Sequence, residues 1–327
     1  MPKNKKTQSK KDKSKKKAKK KYGVRNWKEY NESLVNRGRL NVYIDEKAEN
    51  DWYLTPRKGK KPGKPKKYSD LAIQLTIQFG KIFHQRLRQT EGLVKSIFKM
   101  LELDLDVPDH STLSRRLGDL NIQLPKLPKE NIVFIIDSTG LKIYGEGEWK
   151  VRKHGWSKHR TWRKAHIAVT PDGEVRAAKL TGNNVSDNKV FEDLLSQEEA
   201  AIDTISADGA YDTGDVYDAI QKRGIANTLI PPQRNAKIWH HGNLKSAPHP
   251  RDKNLREIRK TSRKRWKESA GYHIRSLSET AMFRFKTIFG NTLNSRKFKN
   301  QQNEFLIAIS AMNKMTGLGM PDSYIIE

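Results

Sequence analysis

Residues 132–140 read IVFIIDSTG and residues 204–212 read TISADGAYD. In each, a short apolar run meets an aspartate, with a glycine (Gly140, Gly209) within three residues. Ile132–Ile136 follows Pro125 and Pro128 and is short and β-branched, which predicts a fully buried strand ending in Asp137. Ile202–Ala207 predicts a second strand ending at Asp208. In α/β sheets sites gather at the carboxyl ends of strands, so a pair of acids there is a candidate site, although either alone reads as a turn or cap residue. Asp203 and Asp212 lie close by; position at the strand end favours Asp208.

Working outward, His166–Thr170, the turn Pro171-Asp172-Gly173 and Glu174–Leu180 predict a hairpin. A helix near Asn188–Leu195 follows, then another from about Asp215 to Lys222, and a last strand over Ile225–Ile230 stopped by Pro231 and Pro232. No period of 20 to 50 residues recurs. The alternation predicts an α/β layer fold, a mixed sheet flanked by helices, beginning near residue 129.

The third element is YHIRSLSETAMFRFKTIFG, residues 272–290. At about 100° per residue, Tyr272, Arg275, Glu279 and Lys286 fall within roughly 60° of arc, while Ile274, Leu277, Ala281, Phe285 and Ile288 fill the opposite face. A solvated amphipathic helix with its own ion pairs explains that pattern too. Three carboxylates in a basic chain suit different chemistry: hard divalent ions take oxygen ligands, and displacement at phosphorus uses carboxylate-held ions to stabilise attacking and leaving oxygens. Asp137, Asp208 and Glu279 are therefore the candidate catalytic and metal-ligating residues.

The 327 residues carry 65 Lys and Arg against 37 Asp and Glu, a formal +28. Residues 1–22 hold twelve lysines and one acid, a low-complexity tail expected to be disordered, yet +17 remains on the rest. Such charge seeks polyanions. The absence of cysteine excludes disulfides, thiolate zinc sites and a cysteine nucleophile. With no apolar run near the roughly 20 residues of a membrane span, no membrane partner is expected and the chain reads as soluble and cytoplasmic.

Residues 23–128 predict a helical region. A Pro, Gly and Lys linker over 58–67 precedes a helix capped by Ser69 and Asp70, a second after Thr90, and a short third after Ser111, STLSRRL. Thr112, Arg115 and Arg116 lie close on that third helix, the shape of a recognition helix in a helix-turn-helix unit and equally that of a solvated helix face. Twelve Lys and Arg between Arg234 and Lys267, Arg263 and Arg265 among them, face Asp252, Glu257 and Glu268 and suit a phosphate track. Residues 149–166 interleave three tryptophans with cations; Trp156 is the candidate for stacking on a base, and core packing is the plainer reading.

The motifs DSTGLKIYGEGEW from Asp137, ISADGAYDT around Asp208, and the Tyr272, Arg275, Glu279, Lys286 signature together resemble the DDE transposases of bacterial insertion sequences, specifically the insertion-sequence-five family, over about residues 23–321. The resemblance implies a ribonuclease-H-like catalytic domain at 129–327, in which Asp137, Asp208 and Glu279 hold two Mg2+ ions, with Mn2+ as a substitute, and Tyr272, Arg275 and Lys286 contact the DNA end. It implies binding of terminal inverted repeats in double-stranded DNA, strand cleavage and strand transfer, a homodimer on DNA, and a place at the bacterial nucleoid. A catalytically silent DNA-binding descendant and a structure-selective nuclease of the same fold are the alternatives.

Overall fold

In the computed structural model, residues 21–44, 46–55, 66–144, 162–240 and 249–326 are described. The lysine-rich tail expected over 1–22 lies outside them except at its end, as do most of the 58–67 linker and Trp156. The chain opens with a short strand β1 (Lys21–Val24), then helices α1 (Trp27–Asn36) and α2 (Glu46–Asn50). Next come α3 (Asp70–Ile82), α4 (Leu87–Met100) and α5 (His110–Leu117). The predicted starts follow from side-chain caps: Ser69 accepts from the amide of Ala72, and Asp109 from those of Ser111 and Thr112.

The sheet begins with β2 (Ile132–Ile143), β3 (Trp162–Val169) and β4 (Val175–Gly182), continues through α6 (Phe191–Ser196), β5 (Ile202–Ser206) and α7 (Gly214–Lys222), and adds β6 (Asn227–Leu229). Its order is β4-β3-β2-β5-β6, with β3 antiparallel to β2, β4 antiparallel to β3, and β5 and β6 parallel. Gly173, at φ +86°, turns the β3–β4 hairpin, a conformation glycine adopts without steric cost. After β6 the basic stretch forms α8 (Pro250–Lys260) and α9 (Arg263–Ser269), followed by α10 (Ser276–Phe289), β7 (Thr292–Leu293), α11 (Phe298–Gly317) and β8 (Ser323–Ile326), which pairs with β1.

One boundary differs from expectation in a way that matters. β2 does not end at Asp137 but runs on to Ile143, because β3 keeps supplying ladder partners as far as Lys142, whereas β5 stops opposite Ile135. Asp137 therefore has a neighbouring strand on one side only, and β7 refills the other side from Lys142.

Alternation along β2 divides the core. Phe134 and Ile136 face α6 and α7, with Phe191, Leu194, Ile205 and Ile220. Ile135 and Leu141 face α10 and α11, with Phe285, Phe289, Phe305 and Met312. The result is a mixed sheet flanked by helices on both faces. Helix α11, which the sequence does not single out, is buried around much of its girth and reaches further: its Ile307 packs among Ile73, Ile77, Leu113 and Leu117 of α3 and α5. Met315 joins Trp52, Phe79 and Phe98. The N-terminal helices thus close over the same helix that backs the sheet.

Candidate active site

Asp137 shares the α10 face of β2 with Ile135 and Leu141, at the point where β5 has stopped. α10 crosses that gap. Its Ser278 donates to Asp137 Oδ2 at 3.1 Å, and Arg275, on the 3-10 turn Tyr272–Arg275 leading into α10, donates through Nη1 to the same oxygen at 2.9 Å. Through Nη2 the same guanidinium binds Glu279 one turn on. Asp137 Oδ1 accepts from the Ser138 amide at 2.9 Å. Further along the same side of β2, Lys286 donates to Thr139 Oγ1 at 2.6 Å.

Asp208 follows β5 and caps the 3-10 turn Gly209–Tyr211 by accepting from the amide of Ala210. Its charge is felt at Asp137: burial chiefly, with Asp208 adding, raises the Asp137 carboxyl above its ordinary value against the pull of the Ser138 amide, Arg275 and Ser278. Tyr272, 7 % exposed and packed on Trp266, is pushed up to about 12 by burial, with Asp208, Asp137 and Glu279 adding and Arg275 opposing. Arg275 is held charged above its usual value although burial works against it, by Asp137, Tyr272, Glu279 and Asp208. The five side chains form one electrostatic neighbourhood. Among the described residues no three acids or histidines are yet gathered as a ready metal cage. The donor chemistry nevertheless fits a hard divalent cation: two carboxylates already converge on one positive charge, and the buried Tyr211 hydroxyl, raised by burial and by Asp187, Asp137 and Asp208, has no hydrogen-bond partner among the described residues.

The neighbouring acids are otherwise engaged. Asp212 is buried and held by Arg251, Nε to Oδ1 at 2.6 Å and Nη2 to Oδ2 at 3.3 Å, and Oδ2 also accepts from the Gln233 amide. Asp203 lies at the opposite end of β5, exposed, beside Thr204 and Asn227. His166 is fully buried, its Nε2 2.8 Å from Thr181 Oγ1, and burial holds it down to about 4, so it stays a neutral core residue.

The remaining sequence-derived candidates divide. Arg263 is half-buried with a guanidinium at the Gln233 carbonyl, and Arg265 is exposed, both on α9. Thr112 and Arg115 lie on the outer side of α5, with Arg115 Nη2 3.2 Å from Thr112 Oγ1. Arg116 does not join them: only 8 % exposed, its guanidinium turns inward to Asp70 and the Tyr68 carbonyl. Three residues escape the sequence reading. Ser278 and Thr139 hold the site together from positions without charge. Phe283, 70 % exposed, stands one turn beyond Glu279; its signal is present on the helical wheel, where an aromatic falls inside the polar stripe.

The mixed sheet thus carries one acid on β2 and a second just after the neighbouring β5, and the late helix α10 brings a third to the guanidinium that holds Asp137. Residues 128–314 match a family model described as the transposase DDE domain, and residues 35–146 match a second of the same description. The chain belongs to the DDE transposase family, metal-dependent enzymes that cleave DNA and transfer strands.

Proposed function

We propose that the chain is the transposase of a bacterial insertion sequence of the insertion-sequence-five type, acting at the nucleoid as a homodimer on its terminal inverted repeats and moving its element by cut-and-paste. In this reading residues 23–128 form a helix-turn-helix-like region that recognises the ends and 129–327 a ribonuclease-H-like catalytic domain. Asp137, Asp208 and Glu279 are the catalytic carboxylates that hold two Mg2+ ions. The observation that carries the reading is the Arg275 guanidinium spanning Asp137 and Glu279, which brings a strand acid and a helix acid to one point of positive charge.

The ions, when bound, lower the pKa of the attacking water or 3′-hydroxyl and neutralise the leaving oxygen. The side chains supply geometry and charge. Ser278 and the Ser138 amide hold the Asp137 carboxylate in one orientation. Arg275 balances the carboxylates in the resting chain, and its planar fork suits a phosphate once they are otherwise neutralised. Lys286, anchored on Thr139, adds a point charge on the strand that carries Asp137. Tyr272, packed between Trp266 and Lys267, fixes the turn from which Arg275 projects. Arg263 and Arg265 line the approach along α9.

The test is incubation of the purified chain with plasmid bearing its gene's flanking DNA, with Mg2+ or EDTA, mapping cuts and joints by sequencing. Wild type cuts at inverted repeats and joins 3′-hydroxyls to new DNA, and Glu279→Gln binds without cutting. Retained cleavage by Glu279→Gln overturns the site, and cutting without joining overturns the transposase in favour of a nuclease.

A further inference from the structure

A groove of about 880 Å3 runs between the N-terminal helices and the start of α11. Besides the buried Lys81, six cations line it from three separate elements: Arg86 and Arg88 at the head of α4, Arg115 on α5, and Arg296, Lys297 and Lys299 where the chain enters α11. All six are exposed. Among the described residues only Lys299 has an acidic partner, Asp119 at 3.4 Å, and both members of that pair are open to solvent, where an ion pair is weak. Glu304 at the groove floor is already spent: it pairs with Lys81 at 2.8 Å and accepts from the amides of Asn294 and Ser295. A large uncompensated positive surface is thus built across both halves of the fold, and a buried ion pair fixes its floor.

One wall connects the groove to the candidate active site. Tyr144, whose ring centroid lies 4.2 Å from the Arg86 guanidinium, directly follows β2. It is seven residues beyond Asp137. At about 3.3 Å per strand residue the separation is about 23 Å. On B-DNA, at about 3.4 Å per base pair, this is about seven base pairs.

We propose that this groove binds the phosphate backbone of duplex DNA about seven base pairs from the phosphodiester that is cut. The assignment rests on the reading of the chain as a DNA-end-processing enzyme and adds a place and a spacing to it. Because α4 and α5 form one side and the α11 entry the other, a duplex seated there holds α4 and α5 in fixed register with the Asp137 strand. Specificity plays no part in this contact, since phosphates carry no sequence information.

The test uses the full chain and a variant with Arg86→Gln, Arg296→Gln and Lys297→Gln, all exposed positions outside the carboxylate site. Fluorescence anisotropy against a duplex carrying the flanking end, and against a scrambled duplex of equal length, is read as a function of salt. The expected result is an equal loss of affinity for both duplexes and a plot of log K against log salt shallower by about 3. Hydroxyl-radical footprinting should lose protection about seven base pairs from the cut while keeping it at the cut. An unchanged salt slope, or a loss confined to the flanking-end duplex, overturns the groove even where wild type cuts and joins normally. Absence of any metal-dependent cutting by wild type refutes the functional reading instead, so the two failures are separable.

Discussion

Replacing Arg251 with methionine should cost far more than the loss of a surface cation, and the structure gives the reason. The guanidinium has two bonds to Asp212, donates to the Lys237 carbonyl at 2.8 Å, lies 3.7 Å from Asp252 and stacks 3.9 Å from the Trp239 ring centroid. The Arg251 and Asp212 side chains are almost wholly buried, and Asp252 is fully so. Arg251→Met leaves Asp212 in the interior without its cation, a change that costs about 3–5 kcal/mol when one member of a buried pair is removed. Asp252 retains the amides of Trp239 and His240, which limits its share. Adding Asp212→Leu removes the stranded charge, so the double variant should recover a large part of the loss. Urea unfolding followed by circular dichroism on wild type, both singles and the double measures the coupling. The pair also ties the turn bearing Asp208 to the 233–237 segment, so DNA cutting by Arg251→Met should fall under conditions where the protein is still folded. A loss below about 1 kcal/mol, or a double variant equal to the sum of the singles, would refute the argument.

Ile307→Ala opens a cavity between α11 and the α3–α5 pair and should cost about 2–5 kcal/mol by denaturant midpoint, with loss of cooperativity between the halves as the wrong outcome. His166 is held neutral below its ordinary value, so the unfolded chain binds a proton that the folded one refuses; its share of stability is complete above about pH 6.5 and is lost as pH falls towards about 4, roughly 3 kcal/mol in all. Thermal melts across that range on wild type and His166→Gln should show a shallower slope in the variant. Arg275→Lys retains charge but cannot span Asp137 and Glu279 with two nitrogens of one planar fork, so cleavage should fall at least tenfold while folding is unchanged, as read by sequencing-mapped cuts and by melting. Phe283→Ala, at an exposed position, should move the unfolding free energy by no more than about 0.5 kcal/mol.

The parts legible in the sequence are those governed by local rules. The apolar run before Asp137, the Ser69 and Asp109 caps and the turn at Gly173 each declare themselves within a few residues. The extent of β2 does not, because its continuation past Asp137 depends on β3, whose partner residues lie 20 to 28 positions away along the chain. Arg116 misleads for a related reason: a wheel drawn on eight residues contains no knowledge of Asp70, which turns the guanidinium inward. The stripe of Tyr272, Arg275, Glu279 and Lys286 is legible as a spacing, but its first two members sit on a 3-10 turn, and Tyr272 is buried, because Trp266 on the preceding helix covers it. α11 is the largest omission. A helix contacted on several sides has no single apolar stripe, and its buried Gln301, Asn303, Glu304 and Asn313 read as surface residues until their partners are known: Arg163, the Leu117 and Leu120 carbonyls, Lys81 and the Val175 backbone.

That helix also sets the order in which a growing chain can acquire its form. Ile73, Ile77, Leu113 and the Asp137 strand all leave the ribosome well before residues 298–317, yet each lies in a cluster that α11 completes. During synthesis these apolar faces wait for a cover that has not been made, which exposes them to aggregation and to chaperones in the interval. The cationic groove waits as well, since half of its exposed charges, Arg296, Lys297 and Lys299, arrive only with the entry to α11.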